Sequence, residues 1–77
     1  MKSELFKEKN EFIATLELAL LRDERSGVKD ITYIYEPEYD DEYITVFFRG
    51  GATKRILATG NSNGANAKAI IKAVYGE

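Results

Sequence analysis

The chain contains no cysteine and no histidine. The first absence excludes disulfides and thiolate zinc sites. The second removes the commonest general base, the Ser–His and Cys–His nucleophile pairs, and imidazole metal ligation. Carboxylate, lysine, tyrosine and arginine are what remain for chemistry. The expectation is a protein that is not an enzyme and uses no cofactor or metal. No apolar run approaches the roughly 18 residues of a membrane span. The opening, Met1-Lys-Ser-Glu-Leu-Phe-Lys-Glu-Lys-Asn10, is charged and has no apolar signal-peptide core. A soluble, cytoplasmic protein is therefore expected.

What is present fits one small domain, residues 1–77. A chain of this size buries only roughly 60–65% of the surface its unfolded form exposes. The net charge is −2, unevenly spread. Glu36, Glu38, Asp40, Asp41 and Glu42 crowd into one cation-free segment, and the rest of the chain carries 11 positive against 8 negative charges.

Apolar spacing predicts a first helix over about 3–25. At 100° per residue, Leu5, Phe6, Phe12, Ile13, Leu16 and Leu20 fall in one arc of about 120°. Lys9 sits inside that arc, and is expected to lie over the core edge with its amine in water. Ser3 can cap the start, Glu4 suits the first turn, Arg22 and Arg25 the last, and Gly27 the stop. Leu18 and Leu21 fall outside the arc and join Ala14 in a second apolar patch.

Alternation predicts strands at about 29–35, 43–49 and 52–58. In the first, Ile31, Tyr33 and Tyr35 share a face. Glu36 to Glu42 reads as a solvated loop, since Pro37 lacks a donor and the carboxylates repel one another. Gly50-Gly51 suits a two-residue hairpin turn. It would pair Phe48 with Thr53, Val46 with Arg55 and Ile44 with Leu57. One hairpin face then carries Ile44, Val46, Phe48 and Leu57, and is favoured as the core; the other carries Tyr43, Thr45, Phe47, Ile56 and Ala58. Neither is polar, so a short chain is left with surplus apolar surface.

A last helix over about 62–75 is capped by Ser62 or Asn63. Ala67, Ile70, Ile71 and Val74 form its core stripe, with Ala65, Ala69 and Ala73 as a flat ridge beside it. The fold class is α+β: a three-stranded antiparallel meander packed with an N-terminal and a C-terminal helix, in the order α-β-β-β-α.

Three motifs bear on chemistry. The acidic segment lacks the glycine bend and spaced oxygens of a calcium loop. A solvated connection and a mimic of a phosphate backbone are the readings it leaves. Gly60-Asn-Ser-Asn-Gly64 lacks the Lys-Ser/Thr of a P-loop and reads as a helix cap. Lys54, Arg55, Lys68 and Lys72 are candidate nucleic-acid contacts. The element order is similar to that of double-stranded-RNA-binding domains, with a motif resemblance limited to Ala67-Lys68 and Lys72. The carboxylates in the corresponding loop oppose phosphate binding.

Tyr43-Ile-Thr-Val-Phe-Phe-Arg-Gly-Gly51, Lys54-Arg-Ile-Leu-Ala-Thr-Gly60 and Ala67-Lys-Ala-Ile-Ile-Lys72 resemble stretches of small phage and mobile-element proteins of Gram-positive bacteria. The resemblance covers the second half of the chain. It implies an origin and carries over no functional residue. The functional expectation is a non-enzymatic protein–protein interaction module, a homodimer or a binder of a host protein. Tyr43, Phe47, Ile56, Leu18 and Leu21 are its candidate interaction face, and the acidic loop tunes partner choice. A nucleic-acid-binding domain is the alternative; no membrane partner is expected.

Overall fold

A computed structural model describes residues 2–76, with side chains from Glu4 onward. Helix α1 spans Lys2–Leu21, β1 Val28–Glu36, β2 Asp41–Phe48, β3 Thr53–Leu57 and α2 Asn63–Tyr75. The strands form an antiparallel meander in the order β1-β2-β3, as the α+β reading expects. Ser3 falls inside α1, and its expected capping side chain lies outside the described residues.

Helix α1 stops four residues before the expected Arg25, so Arg22 and Arg25 are exposed and outside its last turn. A short 3-10 turn, Glu24–Ser26, replaces the end of the helix. Asp23 caps it by accepting from the Arg25 N–H at 3.0 Å, and Gly27 closes it at φ +68°. Buried Ser26 donates its hydroxyl to the Leu20 carbonyl at 2.7 Å and accepts from the Val28 N–H at 3.1 Å. The chain thereby turns directly from helix into β1.

Both helices cover one side of the sheet. Ile13 and Leu20 of α1 and Ile70 of α2 join Val28, Ile31, Ile44, Val46 and Ala58 in a single buried cluster. Residues Glu42, Ile44 and Val46 alternate with half-buried neighbours along β2, which fixes the helix-facing side. Val28 and Ile31 are both buried although three residues apart. A bulge between Val28 and Asp30 accommodates the extra residue. Truncating one of the buried isoleucines to alanine costs about 2–5 kcal/mol by the usual cavity penalty.

The hairpin differs from expectation by one residue. Phe47 pairs with Thr53, Val46 with Lys54, Thr45 with Arg55 and Ile44 with Ile56. Phe48 N–H donates to the Ala52 carbonyl at 2.9 Å, and Gly51 N–H to the Phe48 carbonyl at 3.0 Å. The loop is thus three residues, Arg49-Gly50-Gly51, a tight turn closed by a glycine at φ +94°. A one-residue slip exchanges the faces of a whole strand. Ile56 and Ala58 now face the helices, while Arg55 and Leu57 face away. The expected register set Arg55 beside Val46; the observed one puts Lys54 there, its amine reaching the Ala73 carbonyl.

Helix α2 is rotated relative to expectation. Asn66 and Ile70 are buried, Ala67, Ala69, Ala73 and Val74 half-buried, and Ile71 faces outward. The small Ala69 and Ala73 let this side approach the rest of the fold. Ser62, of the two candidate caps, accepts from the Ala65 N–H at 3.1 Å. On α1, Phe12, Ile13, Leu16 and Leu20 pack inward as expected, but Leu5 is exposed.

The turn makes a direct prediction. Only Gly51 of the glycine pair has positive φ, and nothing lies near a Cβ added at either position. Gly51→Ala should cost about 1 kcal/mol from left-handed backbone strain, and Gly50→Ala almost nothing. Urea denaturation of both variants checks this; equal losses would indicate a two-residue turn.

Candidate interaction surface

The acidic segment does not form one loop. β1 runs to Glu36 and β2 starts at Asp41, leaving residues 37–40 as the turn. Asp40 takes a left-handed φ of +53°. The carboxylates then diverge. Glu36 and Asp41 pair across the strands on the helix-free side, and Asp40 accepts from the Tyr35 hydroxyl at 2.7 Å. Glu42, expected to be solvated, points under α1 and is only 5% exposed.

Lys9 meets it there, also 5% exposed, instead of holding its amine in water as expected. Lys9 Nζ donates to Glu42 Oε1 at 2.7 Å, and the Tyr33 hydroxyl donates to the same oxygen at 2.7 Å. Gly60 N–H donates to Oε2 at 3.0 Å. The Glu42 backbone N–H donates to Thr59 Oγ1, and its carbonyl accepts from the Ala58 N–H. Burial pushes the Glu42 carboxyl up, but Lys9, Tyr33 and the Gly60 N–H outweigh it and hold the group below its ordinary 4.5. Burial, and then the Glu42 charge, pushes the Tyr33 phenol well above its usual value. Phe6 stacks on Tyr35 with ring centres 4.0 Å apart, closing the same end of α1 over β1.

A cleft of about 490 Å3 lies beside this cluster, between Leu5, Phe6 and Lys9 of α1 and the Thr59–Asn63 segment that leads into α2. Lys9 and Glu42 neutralise each other at its floor, and Glu8 and Asp40 also line it. Asn66, fully buried nearby on α2, has neither amide atom bonded to a described residue.

The other side of the sheet is covered by neither helix. Its cross-strand rows follow from the registers: Glu36 with Asp41; Ile34 with Tyr43 and Leu57; Thr32 with Thr45 and Arg55; Asp30 with Phe47 and Thr53. Ile34 is 53% and Leu57 63% exposed, with Tyr43 half-buried between them. Arg55 lays its guanidinium 3.9 Å from the Tyr43 ring centre and 3.8 Å from Glu36. Lys29, in the bulge, and Arg49, at the hairpin turn, are exposed at the far end. Asp30 shares that end but folds back, accepting from the Ile31 N–H at 2.9 Å, which Glu17 of α1 also reaches at 2.6 Å. Burial and the nearby Asp30 raise the Glu17 carboxyl.

Of the expected interaction face, Tyr43 and Phe47 lie here. Ile56 does not: the slipped register turns it to the helices, and Leu57 takes its place. Leu21 packs against the core, and Leu18 is exposed on α1, across the sheet from Tyr43. Ile34 and Leu57 are the residues the sequence reading did not assign. Ile34 was legible as the odd member of its strand; Leu57 depended on the turn.

The four candidate nucleic-acid contacts do not converge. Adjacent on β3, Lys54 and Arg55 face opposite sides. Lys54 Nζ donates to the Ala73 carbonyl near the end of α2 at 2.6 Å and lies 5.7 Å from the Phe48 ring centre. Lys68 and Lys72 are exposed on α2. Among the described residues no group of three or more acidic side chains is placed to hold a metal ion, and no helix is long and apolar enough to cross a membrane.

Breaking the buried pair should be costly. Lys9→Met leaves the Glu42 charge buried without its cation and is expected to cost about 3–5 kcal/mol; adding Glu42→Gln should recover most of it. The pH dependence has a definite sign. Because the folded Glu42 pKa is lowered, its contribution is complete above the ordinary 4.5 and is lost as pH falls through the folded value. Stability lost between about pH 5 and pH 3 should therefore be smaller in Glu42→Gln, as read by urea midpoints.

No family model, curated protein or solved structure matches the chain.

Proposed function

We propose that the protein is a non-enzymatic interaction module that docks a protein partner on the helix-free face of its sheet. The observation that carries this reading is the row of exposed Ile34 and Leu57 on either side of half-buried Tyr43, on the side that neither helix covers. Exposed apolar groups that are contiguous and rimmed by polar ones mark interaction sites, whereas scattered ones do not. Here Glu36 and Asp41 stand at one end of the row, and at the other stands Asp30, with exposed Lys29 and Arg49 near it in the chain. The buried Lys9 and Glu42 engage each other, which favours binding over acid–base chemistry. An origin in a phage or mobile element, which the second half of the chain resembles, accords with a small protein that acts by docking.

Ile34→Lys with Leu57→Lys tests the reading. Both side chains are exposed, so the variant should fold, with a loss within about 1 kcal/mol. Partners captured by the immobilised wild-type chain, itself included, should be lost by the variant. Equal capture by both would overturn the assignment of this face.

A further inference from the structure

We infer that the occupant of the open face is a cationic, amphipathic segment of another protein, whose lysines or arginines meet the β1–β2 turn end while its apolar side chains lie on Ile34 and Leu57. The inference rests on the interaction reading above and names the chemistry of the partner. Its basis is the sign of the charge on the face. Of the side chains that the registers place in its rows, Asp30, Glu36 and Asp41 are acidic and Arg55 is basic. Lys29 and Arg49 stand outside those rows, in the bulge and in the hairpin turn.

Arg55 leaves most of that charge uncancelled. Its guanidinium lies 3.8 Å from Glu36, and both side chains are open to water, where such a pair is weak. The donors that reach Asp41 are neutral hydroxyls, Thr59 at 3.1 Å and Tyr43 at 3.4 Å. Burial first, and then the Asp41 and Glu36 charges, push the Tyr43 phenol above its ordinary value, with Arg55 opposing them. Glu38, exposed in the turn, adds a further carboxylate at the same end.

The same distribution disfavours a second copy of this chain. Two faces stacked about an axis parallel to the strands set Glu36 and Asp41 against their own counterparts, and like charges repel. An axis along the row Thr32–Thr45–Arg55 lays Asp30 of one copy over Ile34 of the other, a carboxylate on an apolar side chain. A cationic partner meets neither obstacle. The row Glu36–Asp41 and the row Ile34–Tyr43–Leu57 are two residues apart along the strands, about 7 Å. Side chains one turn apart on a helix are spaced by about 5–6 Å. A single amphipathic segment can therefore cover the apolar row with one turn and reach the acidic row with the next. Complementary charge of this kind acts mainly on the association rate and is screened by salt.

Fluorescence anisotropy on the full chain tests this, with a labelled amphipathic peptide of leucine and lysine set against its leucine–glutamate counterpart. The lysine peptide should bind, more weakly as salt is raised, and the glutamate peptide should not. Glu36→Lys with Glu38→Lys should weaken binding about tenfold. Glu11→Lys with Glu24→Lys makes the same change of net charge at exposed positions outside the sheet, and should weaken it far less. Ile34→Ser with Leu57→Ser leaves the charge unchanged and should abolish binding. No binding of the lysine peptide, equal binding of both peptides, or equal loss from the two charge variants overturns the cationic partner. So does a wild-type mass that rises in light scattering from 8.7 kDa toward twice that value and is returned to the monomer by Ile34→Ser with Leu57→Ser, which would give the face to a second copy. Each of these leaves the docking face itself to the capture experiment above. A lysine peptide indifferent to Ile34→Ser with Leu57→Ser overturns its seat on this face.

Discussion

A carboxylate sealed from water must be given donors, and Glu42 receives them from three separate parts of the chain: Lys9 of α1, Tyr33 of β1 and the Gly60 N–H ahead of α2. Each donor is useful only if its own element is in place. The pair therefore fixes how far along the sheet α1 sits and where the chain leaves β3 for α2. Replacing such a pair with apolar side chains is often neutral for stability. What the ionic version supplies here is position: misplaced by one turn, α1 would leave one charge buried and alone.

That placement decides which face is open. With α1 held over β1 by Lys9 and by the Phe6–Tyr35 stack, and α2 anchored at its end by Lys54, both helices occupy one side. Among the described residues no further helix lies over the other side. The open surface is thus a by-product of how the core is closed.

Element order was legible in the sequence because hydrophobic periodicity carries it. So was the favoured core face of β2, carried by Ile44, Val46 and Phe48. Two anomalies also announced the central pair: Lys9 lies within the apolar arc of α1, and Glu42 is in phase with Ile44, Val46 and Phe48. Read separately, each has an ordinary solvated explanation; read together, each supplies the other's partner. The turn was harder. Gly-Gly suits a two-residue loop, but three residues serve as well once only the second glycine must be left-handed. Burying Ile56 and Ala58 instead of Leu57 is what the observed register achieves. That is a tertiary preference, beyond the reach of the turn residues alone. The bulge at Lys29 was hidden for the same reason, because strict alternation has no place for an extra residue.

The bulge at Lys29 also bears on the edge of the sheet. An exposed sheet edge offers free N–H and C=O groups to any passing strand and so invites open-ended growth. On the β1 edge the bulge breaks the regular spacing, and Glu17 and Asp30 already occupy the Ile31 N–H. On the β3 edge the short strand carries Lys54 and Arg55 side by side. Both edges are therefore poor templates for a further strand.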